Sequence, residues 1–293
     1  MNKTVYRIVL MTLLLVLIFI ADILLGSVTI PLSDFFEYLK GNDWSHPSYE
    51  AIIFEYRLPK ALTACFAGSA LAVSGLLMQS FFRNPLAGPY VLGISSGASL
   101  GVALLLLLFS GTFLFSVPLA ACIGSLFVLI SMIWASKRFR SSVSLLILGL
   151  MISYLTGALV GVLQYFSKSE EIQSFVLWGL GSFAKTQWTD LQMMLPVLVL
   201  GLVFAYSRSK ALNSLLLGAS YAQSLGVSIK SIRRQLLYLV GILVAWVTAY
   251  CGPIAFLGMA VPHLVRLWVE ESDHKITIPL VALTGACIAL LCD

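Results

Sequence analysis

Nine apolar runs, at about 8–25, 61–82, 91–109, 113–135, 143–166, 191–206, 236–251, 254–269 and 276–292, divide this chain of 293 residues. Each is long enough, or slightly short of it, to cross the roughly 30 Å of hydrocarbon in a bilayer. A backbone in lipid must satisfy its own polar groups, so runs of this length are read as helices. The expected fold class is an all-α polytopic membrane protein of about nine transmembrane helices. Neither a fixed-period repeat nor a linker divides it, which makes residues 1–293 one membrane domain. The chain is 59% hydrophobic and 11% charged, against roughly 45–50% and 25% in soluble domains. A soluble enzyme of that composition would lack the polar surface to face water.

The charges between the runs set an orientation. With the N-terminus in the cytoplasm, 13 of the 18 Lys and Arg residues lie on the inner side. The outer side then holds Lys40, Arg57, Lys60, Lys168 and Lys185 among eight acids, from Asp34 to Asp190. The positive-inside rule selects this arrangement for a multi-pass membrane protein. The net charge of +5 is thereby explained as topology. The dispersed bases form no stripe that could follow a nucleic-acid backbone. Lys3 and Arg7 precede the first run as in a signal peptide, but no A-x-A-like site follows, so it is read as an uncleaved span. The five cysteines lie in or beside apolar runs without C-x-x-C spacing, and suggest neither disulfides nor a metal site.

Ser207 to Gln235, on the inner side, is too apolar for a free loop and too interrupted by Lys210, Lys230, Arg233 and Arg234 to span. Two short helices are expected there, the first ending at Gly226 and the second capped by Ser228 and running into the seventh span. Two uses fit: an amphipathic pair resting on anionic lipid, or a docking surface for a cytoplasmic partner. At the outer mouth of the second span, Arg57 and Lys60 in Arg57-Leu58-Pro59-Lys60 are either snorkelling anchors or rim charges that meet an acidic soluble partner. The outer stretch Ile172 to Phe183 reads as a half-buried helix or part of a gate.

Between the second and third spans, Asn84 before Pro85 reads as a helix cap and first helical position, and Gly88-Pro89 as a reversal. Gly93, Ser95, Ser96 and Gly97 then place small residues at the start of a short span. They either pack closely, with Gly68, Ala72 and Gly75 as the expected partner face, or line a path. Gly93 to Gly97 also matches G-x-S-x-G, the best case for an intramembrane serine hydrolase. That case is weak, because His46, His263 and His274 sit in no motif that would serve Ser95 as a base. Within the spans the acids are Asp22 and Asp293, so an ion-coupled carrier lacks its usual carboxylate relay. No Gly-Lys dipeptide exists, which excludes a G-x-x-x-x-G-K-[ST] phosphate loop. If ATP drives this protein, another subunit holds the ATP.

Arg57-Leu58-Pro59-Lys60, Gly68 to Gly75, Gln79, Arg83-Asn84-Pro85-Leu86-Ala87 and Leu92-Gly93-Ile94-Ser95-Ser96-Gly97-Ala98 resemble the FecCD-type permeases of ABC importers for iron-siderophore complexes, haem and cobalamin. Leu217-Gly218, Ala222 to Val227, Gly252 to Gly258, Pro262-His263-Leu264-Val265-Arg266 and Asp273-His274 follow the same pattern in order. The resemblance implies a homodimer of ten-span permeases in the bacterial cytoplasmic (inner) membrane, with the translocation path between the two copies. It implies two cytoplasmic ATPase subunits docked on the segment between the sixth and seventh spans. The coupling residues are then Leu215, Leu216, Leu217, Gly218, Tyr221, Ala222, Leu225, Gly226, Val227 and Lys230. ATP and magnesium belong to those partners, and no cofactor belongs to this chain. Arg57 and Lys60 stand where the family's basic pair meets acidic residues of an extracytoplasmic substrate-binding protein, with Lys for the commoner Arg at the second. The family continues past the aspartate matching Asp293 with a tenth span, so a shortened version is expected here. An ATP-independent carrier or channel is the alternative, and a permease for free metal ions would need His, Asp or Glu ligands that the spans scarcely supply.

Overall fold

The computed structural model describes residues 3–26, 28–41, 44–109, 116–139 and 142–293. The expected start of the fourth span at 113, and the charges Asp43 and Arg140, lie outside them. Helix α1 (Lys3–Leu24) is followed by the short α2 (Leu32–Leu39) and α3 (Ser48–Ala51). A π-helical turn, Ile52–Arg57, then leads without a break into α4 (Leu58–Phe82). A 3-10 turn (Pro89–Leu92) precedes α5 (Ile94–Ala103), which widens into a second π turn, Leu104–Leu108. Next come α6 (Val117–Arg138), α7 (Ser142–Phe166), α8 (Ser169–Gly179) and α9 (Trp188–Ser207). The short helices α10 (Ser209–Leu216) and α11 (Ala219–Ser224) lead to α12 (Ile229–Cys251), α13 (Leu257–Trp268) and α14 (His274–Leu291). Among the described residues seven helical segments are long and apolar enough to cross a membrane. The third and eighth apolar runs form shorter helices.

Helix α4 is the axis of the bundle and packs against α9, α12, α13 and α14. Its sequence explains this place. Ala61, Ala64, Ala67, Gly68, Ala70, Ala72 and Gly75 leave small side chains on every face, and all are buried. Lipid gives helices no hydrophobic reason to associate, so close backbone approach at small residues is what holds them. A Cβ added at Gly68 would lie 2.5 Å from both the Ala289 Cβ and the Gly285 carbonyl oxygen, and one at Gly75 would overlap the Gly258 carbonyl. Polar ties reinforce the same contacts: Ser69 Oγ donates to the Ala282 carbonyl at 2.9 Å, and Gln79 Nε2 to that of Met259 at 3.1 Å.

The small residues of α5 are used in the same way, but with a different partner from the one expected. Gly97 meets Gly124 of α6, and Gly101 meets Ala120. Gly68, Ala72 and Gly75 face α13 and α14 instead. The spacing of small residues reveals that a face packs closely, whereas its partner is fixed by topology.

Three local expectations are corrected. Asn84-Pro85 starts no helix. Asn84 Oδ1 accepts from the Leu86 N–H at 2.9 Å, an Asx turn, and the helical start falls at Pro89. The eighth apolar run, 254–269, is not helical from its start either. Residues 252–256 run as non-helical chain, with Gly252 at φ 73° and Phe256 at φ 69°, before α13 begins. The eighth span is thus discontinuous, and its 12-residue helix covers only about 18 Å. Lastly, the helix expected to end at Gly226 is two helices, α10 and α11, broken at Gly218 with φ 120°.

Candidate functional site

The inner segment is built around that break. Leu212 is fully buried and anchors α10, while Leu215 and Val227 pack on the core and Ala222 is buried under α11. Gly218 and Gly226 (φ 79°) supply the left-handed turns at the two ends of α11. Ser228 caps α12 by accepting from the Ser231 N–H, as expected. With those side chains so fixed, Leu216, Leu217, Tyr221, Leu225 and Lys230 are left exposed. Of the ten residues singled out, these five form the outward surface and the other five hold it in place. An apolar cluster rimmed by a cation, on short helices fixed from behind, is the form of a protein contact site.

Two residues that sequence reasoning passed over complete this segment. Asn213 of α10 donates from Nδ2 to Asp273 Oδ1 at 2.6 Å and accepts at Oδ1 from the His274 N–H at 2.8 Å. Arg83, at the C-terminal end of α4, donates to the Leu215 carbonyl at 2.9 Å. Asp273 in turn caps α14 through the Lys275 N–H, 2.8 Å away. That bond first, and the Asn213 amide next, hold the Asp273 carboxyl below the ordinary carboxylate range. A carboxyl depressed by folding stabilises the folded state above its unfolded pKa, and the stabilisation is lost as pH falls through the lowered value. Thermal unfolding of the detergent-solubilised protein should therefore show a gap between wild type and Asp273→Ala that is constant above about pH 5 and narrows toward about pH 3. A gap of the same size at both ends would show that the carboxylate's charge plays no part.

At the start of α4, the structure places Arg57 inside the fold. It is 9% exposed, and its guanidinium donates to the carbonyls of Ile23 at 2.8 Å, Leu24 at 3.1 Å and Val28. It thus ties the end of α1, whose last carbonyls have no helical partner, to the π turn before α4. Lys60 pairs with Asp293 at 2.9 Å and its side chain keeps 27% exposure. The helix α8 of the outer stretch lies half-buried, with Phe175 inward.

Gly93, Ser95, Ser96 and Gly97 occupy packing positions. Gly93 (φ 72°) turns the chain from the 3-10 turn into α5, and a Cβ there would stand 3.0 Å from the Gly149 carbonyl oxygen. Ser95 is buried with its Oγ 3.4 Å from Thr248 Oγ1. Ser96 is half-buried, and a Cβ on Gly97 would stand 2.5 Å from the Gly124 carbonyl oxygen. A more open face lies on α7. Tyr154, Leu155, Val162 and Tyr165 are exposed, and Gly157 and Gly161 have open space where a side chain would sit. Their G-x-x-x-G spacing is a signal for a close-packing face that sequence reasoning passed over.

Comparison with known proteins fits this architecture. A haemin transport system permease of Yersinia pestis is 41% identical over 246 residues, covering 81% of this chain and 72% of its own length. A vitamin B12 import system permease of Escherichia coli is 33% identical over 258 residues, covering 88% and 78%. A solved structure, an inward-facing conformation of a putative metal-chelate type ABC transporter, superposes with a TM-score of 0.87 at 32% identity over 98% of this chain and 88% of that one. The sequence profile of the FecCD transport family matches residues 13–293, and the chain belongs to that family.

Proposed function

We propose that this chain is the membrane-spanning permease subunit of an ATP-driven importer, passing a metal chelate of the haem, cobalamin or iron-siderophore kind into the cytoplasm. The observation that carries the proposal is the exposed cluster Leu216, Leu217, Tyr221 and Leu225, held from behind by buried residues on the base-rich side of the molecule. An ATPase subunit docks there, and ATP with magnesium acts in that subunit. The chain is a transport subunit and not an enzyme, and the Ser95 hydroxyl is spent in packing beside Thr248.

A second copy covers the open α7 face, with Gly157 and Gly161 beside the path between the two copies. The N-terminus lies in the cytoplasm, as the distribution of Lys and Arg supports. An extracytoplasmic binding protein delivers the cargo to the outer mouth. Lys60 meets its acidic residues by exchanging Asp293 for a partner carboxylate. Arg57 contributes chiefly by holding the first two spans together, since contact of its own would cost it the carbonyls it now satisfies.

Purification of the tagged protein from its native membranes in mild detergent tests this reading. An ATPase subunit is expected to come with it, and proteoliposomes of the complex with its binding protein should take up haemin or cyanocobalamin only when ATP is supplied. Uptake without ATP, or purification free of any ATPase, would sink the importer reading in favour of a carrier or channel.

A further inference from the structure

We propose that Asn213 is the joint that transmits movement of the ATPase-docking helices to the transport helices α4 and α14, a positioning role that rests on the importer reading above. Three helices meet through this one amide. Oδ1 accepts from both the backbone N–H and ring Nδ1 of His274, each at 2.8 Å, and Nδ2 donates to Asp273, the cap of α14. The ring continues the chain, with Nε2 2.9 Å from Ser80 Oγ on α4. Asn213 Oδ1 has no proton to give, so Nδ1 carries the proton and Nε2 of the neutral ring is an acceptor for the Ser80 hydroxyl, whose single proton it shares with the Leu76 carbonyl, also 2.9 Å from Oγ. His274 is 2% exposed, which keeps water from replacing these partners. Two turns of α10 thus carry, in close succession, a buried apolar anchor at Leu212, the amide joint at Asn213, and the carbonyl of Leu215 held by Arg83.

Apolar contacts between helices can slide, whereas directed hydrogen bonds carry displacement from one element to the next or break. The room and the alternative partners for a second arrangement are both present. A cavity of about 310 Å³ lies between the inner end of α4, α10 and the turn before α14, lined among others by Ser80, Arg83, Leu215 and His274. Two buried polar atoms on its wall, Gln79 Oε1 and Thr277 Oγ1, have no hydrogen-bond partner. Gln79 stands one helical turn before Arg83 and Thr277 one turn after His274, so each is within reach of a group that now serves α10. A shift of α10 that releases Arg83 and His274 finds an acceptor and a hydroxyl waiting, and this gives the joint two satisfied positions instead of one.

The test uses the whole complex in proteoliposomes, with haemin or cyanocobalamin as the transported probe, whichever the wild type takes up. Asn213→Ala leaves the docking surface untouched. It is expected to retain the ATPase and hydrolyse ATP within about twofold of wild type, while uptake per ATP falls about tenfold. The swapped pair Asn213→Asp with Asp273→Asn keeps every hydrogen bond, because the carboxylate accepts from His274 and the new amide both donates to it and caps α14. It is expected to restore coupling to within about threefold of wild type. If Asn213→Ala fails to assemble, Ser80→Ala, which cuts the link to α4 alone, is expected to lower uptake per ATP about threefold. An unchanged ratio of uptake to hydrolysis, or no rescue by the swap, overturns the joint and leaves the importer reading standing. A wild-type complex without ATPase overturns both.

Discussion

Replacing Tyr221 and Leu225 together by aspartate is expected to abolish recovery of an ATPase subunit with the purified protein, a loss of at least about a hundredfold in affinity. Both side chains are about half exposed and stand on the outer side of α11 and its C-terminal turn, where a partner would desolvate them. Apolar and aromatic anchors at the centre of an interface dominate its energy, and a carboxylate buried against an apolar pocket adds a desolvation cost to the lost contact. The fold should not suffer, because Leu212 and Ala222, which anchor the segment, are untouched. The check is quantitative pull-down together with thermal unfolding of the permease alone. Undiminished ATPase recovery from a normally folded variant would mean that the docking surface lies elsewhere.

The second large effect is on the fold itself. Gly75→Ala is expected to cost about 3 kcal/mol, because the new methyl would overlap the carbonyl of Gly258, and backbone cannot turn aside as a side chain can. Nor can Gly258 retreat freely, since its own Cα faces Pro89 and the Leu71 carbonyl. Helix α13 must therefore move off α4, taking with it the bond between Gln79 and the Met259 carbonyl. Gly179→Ala, at a helical glycine with open space around it, serves as the control and should change stability by no more than about 0.5 kcal/mol. Thermal midpoints of the two variants in the same detergent compare them directly. Equal midpoints would show that the contact between α4 and α13 is looser than the structure has it.

Much of this was legible in the sequence, and the manner of the misses is informative. Apolar length located the seven segments long enough to span and, at the third and eighth runs, two shorter helices, since the cost of an unsatisfied backbone in lipid leaves few alternatives. The left-handed turn at Gly226 and the cap at Ser228 followed from local chemistry alone. Besides the local turns at Asn84-Pro85 and Gly218, what failed was what depends on distant parts of the chain. Gly97 was paired in expectation with α4, though its partner is Gly124. Arg57 reads as a rim cation when only its neighbours are considered, and it took the carbonyls of Ile23 and Leu24, some thirty residues earlier, to draw it inward. Asn213 carried no local signal, because its role exists only once Asp273 and His274 have folded back against it.

The central place of α4 also bears on how the protein is made. It is the second span to leave the ribosome, yet its closest partners are α13 and α14, near the end of the chain. Ser69 waits 213 residues for the Ala282 carbonyl, and Gln79 waits 180 for that of Met259. At about 5–20 residues per second, the interval is on the order of ten seconds or more. For that time the helix destined for the middle of the bundle stands at its edge, with a buried amide and several glycines facing lipid or the insertion machinery. Biogenesis of this protein is thus a problem of sheltering an early helix until late ones arrive, and mutations that prolong the wait would lower yield without touching any site of transport.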